Sequence, residues 1–284
     1  MKEIELALSQ GKVAGLQWGD DDKPLIIALH GWLDNAASFH RLGPLLGEHY
    51  RFVAVDLPGH GHSDYLQPGA AYYIWESLDA LYDICQCFTG QDIHLLGHSM
   101  GGVMAGLYCA TFLQQIKSLI LIDSMGPITT SAKQAPEQLA KGILEHRKPA
   151  PVLKVFRCLQ DAIDGRVKAS QTLQGEEIAP VVERNLIATE GGLCWRTDPR
   201  LRRASKVRFT EDQVEAFWSN IKIPVCGVVA EQGIIPSQWL QARGALIDKL
   251  TVNRVAGHHH LHCQTEGAET SANLIHEFLK ALEL

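Results

Sequence analysis

The chain has 284 residues, 46% of them apolar and 20% charged, with a formal charge of −6. A chain of this length buries roughly three quarters of the surface its unfolded form exposes, so a self-sufficient core is expected and a disordered or collagen-like chain is excluded. The acidic balance argues against a nucleic-acid partner, and no apolar run reaches the ~20 residues that span a bilayer.

Met1 to Lys23 lacks a basic-then-apolar leader pattern, and the seven cysteines are scattered without metal-type spacing. Together these point to a reducing, cytoplasmic setting. Cys85 and Cys87, two apart on a predicted helix, cannot share a face, so no disulfide is expected between them.

Alternation in Glu3–Leu8 and Val13–Trp18, around Ser9-Gln10-Gly11-Lys12, predicts an opening antiparallel hairpin. Short, almost wholly apolar runs follow at Leu25–Leu29, Phe52–Val55, Ile93–Leu96, Leu119–Ile122 and Val225–Val229. Such runs are the signature of strands buried on both faces of a parallel sheet. Between and after them, Ile74–Phe88, Gly101–Gln115 and Ser271–Leu284 carry apolar residues at helical spacing. The alternation predicts a doubly wound, mostly parallel α/β sheet.

The rhythm breaks from Gly126 to Ile221, where helical patterns at Pro136–Arg147, Val152–Arg166 and Glu176–Ile187 occur without a clear buried strand. This stretch reads as a helical cap, residues 126–221, inserted into a core made of residues 1–125 and 222–284. Its Arg196, Arg200, Arg202, Arg203, Lys206 and Arg208, with only Asp198 among them, could clamp an anionic group or simply form a solvated, ion-paired surface.

Chemistry concentrates in three motifs at strand ends. Gly97-His98-Ser99-Met100-Gly101 stands between a strand and a helix, the context of a nucleophile elbow that exposes the Ser99 hydroxyl above the sheet. Small residues suit it because the turn is sharp and strand and helix must approach closely. His30-Gly31-Trp32 follows the Leu25–Leu29 strand, where the Trp32 amide, with that of Met100, would form an oxyanion hole. His30 and His98, beside these residues, are candidates for substrate contact. Asp56-Leu57-Pro58-Gly59-His60-Gly61-His62-Ser63 closes a third strand and reads as a rigid loop beside the site.

In this order the motifs resemble the α/β-hydrolase fold superfamily over nearly the whole chain except the insertion. At finer grain, His30-Gly31-Trp32-Leu33-Asp34-Asn35, Asp198-Pro199-Arg200-Leu201 and Ala230-Glu231-Gln232-Gly233 resemble the serine hydrolase-like proteins, mostly assigned as esterases. The resemblance implies a base in the loop after the last strand, Leu250–Val255. The family's spacing to a second histidine three residues on selects His259, paired with His262, with His258 as the alternative. It also implies an aspartate at position 233, where this chain has glycine. Asp123, at the end of Leu119–Ile122, and Glu231 are the replacement carboxylates, Asp123 being favoured.

The histidine-rich loop invites a metal, but adjacent histidines on a loop rarely converge on one ion and no glutamate-bearing zinc helix accompanies them. No metal and no cofactor are therefore assigned. The expected activity is hydrolysis of a small or medium carboxylic ester through Ser99, His259 and an acid. Thioester, lactone and carbon–carbon bond cleavage run on the same machinery, and a non-catalytic ligand-binding role is the reading the glycine at 233 favours. The expected partner is a small-molecule ester; oligomeric state is left open.

Overall fold

The computed structural model describes residues 1–149, 154–170 and 172–282. Its first half runs β1 (Lys2–Leu8), β2 (Gly11–Trp18), β3 (Leu25–Leu29), α1 (Leu42–Gly47), β4 (Arg51–Val55), α2 (Ser77–Gln86), β5 (Ile93–His98), α3 (Met100–Thr111) and β6 (Ile116–Ile122). The middle segment holds α4 (Ala135–Arg147), β7 (Val155–Phe156), α5 (Leu159–Ser170), α6 (Gly175–Arg184), β8 (Leu186–Thr189), β9 (Gly192–Trp195) and α7 (Glu211–Ser219). The chain closes with β10 (Val225–Gln232), α8 (Ser237–Gly244), β11 (Leu250–His258) and α9 (Thr265–Lys280).

Eight strands form one sheet in the order β1-β2-β4-β3-β5-β6-β10-β11. β1 and β2 pair antiparallel with each other, as β2 does with β4, and every other neighbour is parallel. The apolar runs are continuous because both faces are covered. Leu25, Ile27, Leu29, Val53, Val55, Leu95, Leu119 and Leu121 enter one core layer, while Ile26, Ala28, Phe52, Ala54, Leu96, Ile120 and Ile122 enter the other. That is the two-residue period of a strand read on both sides. Leu81, Met104, Leu107 and Trp218 cover the first face, and Leu42, Leu46, Ile275 and Leu279 the second.

Register places the site. Leu29 pairs with Gly97, His98 with Ile122 and Ile122 with Val228, so β3, β5, β6 and β10 reach their C-terminal ends together. In an open parallel sheet that edge is where ligands bind.

Between β6 and β10 the structure departs from an all-helical reading. β7, β9 and β8 form a small antiparallel sheet, and β8 occupies residues expected to end a helix. The reversal is made by Glu190-Gly191-Gly192, with φ of 84° and 150° at the two glycines, conformations that side-chain-bearing residues avoid. Of the expected helix Val152–Arg166, residues 152 and 153 lie outside those described, Val155–Phe156 form β7 instead, and the chain is helical only from Leu159. The expected C-terminal helix runs to Lys280, and residues 283 and 284 lie outside the described ones.

One arginine fastens this segment to the sheet. Arg184, at the end of α6, bonds the fully buried Asp56 carboxylate through Nε at 2.9 and 3.1 Å, and reaches Glu3 of β1 at 2.6 and 3.0 Å. Asp56 also accepts the amides of Ala36 and His62. Removing the arginine leaves a buried carboxylate without its counter-charge. Arg184→Ala is therefore expected to lower unfolding stability by about 3–5 kcal/mol, read as a fall in the urea midpoint, with Glu3→Gln costing far less because Glu3 is exposed.

Candidate active site

The turn after β5 places Ser99 at φ 52° and ψ −117°, immediately ahead of α3. Glycines make room for it. A Cβ at Gly97 would overlap the Gly101–Gly102 backbone, and one at Gly101 would overlap the carbonyls of Leu29 and His30. The Ser99 amide donates to the Ile122 carbonyl at 3.1 Å, and Ser124 Oγ donates to the Ser99 carbonyl at 2.8 Å. Among the described residues, the three non-glycine residues with positive φ are Leu33, Ser99 and Asp123. All three sit at this sheet edge, where such strain, on the order of 1–3 kcal/mol each, is characteristic of functional sites.

Ser99 Oγ lies 2.9 Å from His259 Nε2, and His259 Nδ1 lies 2.6 Å from Asp123 Oδ2. Asp123 is held in turn by the amides of Ala230 and Ile234, each at 3.2 Å. Its carboxylate fills the volume in front of Gly233: a Cβ built there would collide with both carboxylate oxygens. Position 233 lacks a side chain because the Asp123 carboxylate occupies that space, approached from the neighbouring strand. Glu231, the other candidate acid, is exposed at the end of β10.

The adjacent histidines diverge, each onto its own carboxylate. His258 Nε2 faces Glu177 of α6 at 3.5 Å, His259 faces Asp123, and His260 Nε2 faces Asp34 Oδ2 at 3.2 Å. His258, the alternative base, thus points at the insertion, and burial pushes its pKa down despite Glu177. Asp34 is buried and also receives Arg166 of α5 at 2.7 Å on Oδ1. Burial alone would raise its pKa, but His260, Arg166 and His98 outweigh that and hold it well below the usual carboxylate range. Asp34, His260, Arg166 and Glu177 were not singled out from the sequence. Asp34 stood in view inside His30-Gly31-Trp32-Leu33-Asp34-Asn35, without a sign of its partner.

His30 and His98, the candidates for substrate contact, are both fully buried. His30 is spent on the backbone, Nε2 taking the Leu57 amide at 3.0 Å and Nδ1 facing the Gly31 carbonyl at 2.7 Å. His98 donates from Nε2 to the His259 carbonyl at 2.9 Å, which supports the histidine-rich loop from beneath.

Met100 opens α3, where backbone amides lack helical acceptors. Gly101 lets this helix end touch the carbonyls of Leu29 and His30, so the loop bearing Trp32 lies against it. The Trp32 indole donates to the Leu201 carbonyl at 3.0 Å, joining the loop to the insertion. Beside it is a small, shallow cleft lined by Leu33, Val181, Val182 and Trp195, with Arg166 and Arg202 among its polar walls; neither Ser99 nor His259 lines it. Arg202 is the one member of the basic segment found there. Arg200 is taken up by Asp198 and the carbonyls of Leu66, Gln67 and Ala70, and Arg203 by the carbonyls of His146 and Lys148.

Fold and edge geometry agree with what comparison finds. Residues 24–147 match the family model of the alpha/beta hydrolase fold. A Drosophila melanogaster protein described as a "Probable serine hydrolase" is 29% identical, the match covering 93% of this chain and 84% of that one. A serine hydrolase-like protein of Danio rerio is 26% identical over 98% of this chain and 88% of its own. Among solved structures, a hypothetical protein of Pseudomonas aeruginosa PAO1 superposes with a TM-score of 0.91 at 32% identity, covering 99% of this chain and all of that one. A thioesterase domain from the curacin biosynthetic pathway gives 0.87 at 25% identity, covering 98% and 99%. The chain belongs to the α/β-hydrolase fold superfamily, and it is a hydrolase with serine hydrolase-like relatives. No helix among the described residues is long and apolar enough to cross a membrane.

The buried histidines carry a pH consequence. Burial lowers the His30 pKa to about 4, and burial with the neighbouring His30 lowers that of His60 to about 3; burial also holds His98 and His262 well below 6.5. An unfolded chain takes up these protons near pH 6.5 while the folded one refuses them, so stability present above that pH is lost as pH falls toward 4. The Tm by differential scanning fluorimetry is expected to drop steadily from pH 6.5 to 4, and His60→Gln to flatten part of that slope.

Proposed function

We propose that the protein is a serine hydrolase that cleaves small or medium carboxylic esters through Ser99, His259 and Asp123. One observation carries this reading: a single imidazole bridges the strained Ser99 hydroxyl at 2.9 Å and a buried carboxylate at 2.6 Å. His259 Nε2 takes the hydroxyl proton as Ser99 Oγ attacks the ester carbonyl, and Asp123 orients the ring and stabilises the imidazolium. The oxyanion of the tetrahedral intermediate faces the amides of Trp32 and Met100. Collapse expels the alcohol, which leaves with the proton from His259. Water, deprotonated by the same ring, then attacks the acyl-enzyme and releases the acid, restoring the Ser99 proton.

Residues 126–221 serve as the cap over this edge. Seven unpaired cysteines suit a reducing cytoplasmic setting. A thioester substrate is the second reading, favoured by the likeness to the curacin thioesterase domain, whose fold superposes over nearly the whole chain.

A fluorophosphonate should add once to the wild type and not to Ser99→Ala, read by intact mass. An unlabelled, folded wild type would overturn the reading in favour of ligand binding without catalysis. Asp123→Asn should lower kcat by about 10³–10⁴-fold and Glu231→Gln by less than about twofold, with the fold kept in both. The double variant Asp123→Gly with Gly233→Asp should regain part of the loss, since the two positions share one volume. Arg202→Gln should raise KM for anionic esters and leave neutral esters unchanged; equal effects on both would remove Arg202 from substrate binding.

A further inference from the structure

Behind the Ser99–His259 pair, three side chains from three separate segments converge. Asp34 follows the Trp32 loop, His98 closes β5 and His260 follows His259, and one ligand atom from each lies within 4.8 Å of the other two. Asp34 Oδ2 and His260 Nε2, 3.2 Å apart, have the spacing of about 3.3 Å that two ligands keep on a tetrahedral zinc ion.

His98 supplies the independent observation. Its Nε2 is 2.9 Å from the His259 carbonyl oxygen, and a carbonyl only accepts, so Nε2 carries the ring hydrogen and Nδ1 keeps a lone pair. That Nδ1 is fully buried and has no hydrogen-bond partner. Gly31 packs closely against both groups: a Cβ there would lie 2.9 Å from His98 Nδ1 and 3.1 Å from Asp34 Oδ2, so His98 Nδ1 and Asp34 Oδ2 face the same side of that residue. A ring whose outer hydrogen is held by a backbone carbonyl, with the other nitrogen bare beside a carboxylate, is the arrangement that metal-ligating histidines show. Arg166 on Asp34 Oδ1 opposes a cation here and leaves Oδ2 as the ligating oxygen.

We propose that Asp34, His98 and His260 form a binding site for a transition-metal ion of the Zn²⁺ class, separate from the Ser99–His259–Asp123 set. Two imidazoles and one carboxylate suit Zn²⁺ or Co²⁺ over the oxygen-seeking Mg²⁺ and Ca²⁺. The ion takes the place of the hydrogen between His260 and Asp34, that ring then carrying its hydrogen on Nδ1. Water completes the set from the partly exposed His260 side. The His98 and His260 rings lie 4.6 and 5.1 Å from that of His259. A doubly positive ion there opposes the charge that His259 gains on taking the Ser99 proton, so it inhibits. That consequence, unlike binding, rests on the acyl-transfer reading.

The test uses the full chain, stripped with EDTA and titrated with Co²⁺, reading the visible band of tetrahedral Co²⁺ and the metal-to-protein ratio. One Co²⁺ per chain, displaced by Zn²⁺, is expected. Asp34→Asn and His260→Gln should each weaken binding about tenfold or more. His258→Gln, Ser99→Ala and His259→Ala should retain it. The His260 variant covers the case in which Asp34→Asn, by stripping Arg166 of its partner, fails to fold. No stoichiometric Co²⁺, binding unchanged in both ligand variants, or binding abolished by His259→Ala alone would overturn the site. The band and the ratio need no catalysis, so an inactive Ser99 leaves this result readable.

Discussion

The site depends on one exclusion of volume. The Asp123 carboxylate reaches from the end of β6 into space that a side chain at position 233, at the end of β10, would otherwise occupy. The backbone amides of Ala230 in β10 and Ile234 just after it donate to the carboxylate there, so the neighbouring strand holds a carboxylate it does not supply. The parallel register makes this exchange possible, since Ile122 and Val228 pair at the same height. A carboxylate delivered from either strand end meets the same face of the same imidazole.

From that fixed point the histidine loop distributes charge outward. Three consecutive rings address Glu177, Asp123 and Asp34, which belong to the insertion, the sheet edge and the Trp32 loop. Because Asp34 also holds Arg166, α5 is joined through the Asp34 carboxylate to the loop that carries His258, His259 and His260. His98 braces that loop from beneath through the His259 carbonyl.

What the sequence made legible followed from the range of each signal. Ser99 was readable because an elbow is local: strand, glycines, serine and helix stand within a few residues. The doubly wound sheet was readable because strands covered on both faces leave continuous apolar runs. The choice between Asp123 and Glu231 turned on which carboxylate shares space with Gly233, a contact across 110 residues that composition does not carry. His30 and His98 looked like site residues by type and neighbourhood, yet residue type does not say which way a ring faces, and both are buried. The small sheet of the insertion was written in Glu190-Gly191-Gly192 between two short apolar runs, but the surrounding helical periodicity masked it.

The Arg184 bridge has a consequence for the order in which the molecule is made. Asp56 leaves the ribosome 128 residues ahead of Arg184, an interval on the order of ten seconds at ordinary elongation rates. By the end of that interval β3, β4, β5 and β6 have all been made, while the carboxylate at the end of β4 still lacks the counter-charge it has in the finished fold. The charge that balances Asp56 is thus supplied by a helix made well after the strand that carries it. Residues that settle the end of β4 are in this way divided between the N-terminal half and α6, and a chain ending before Arg184 would leave the Asp56 carboxylate with amide partners alone.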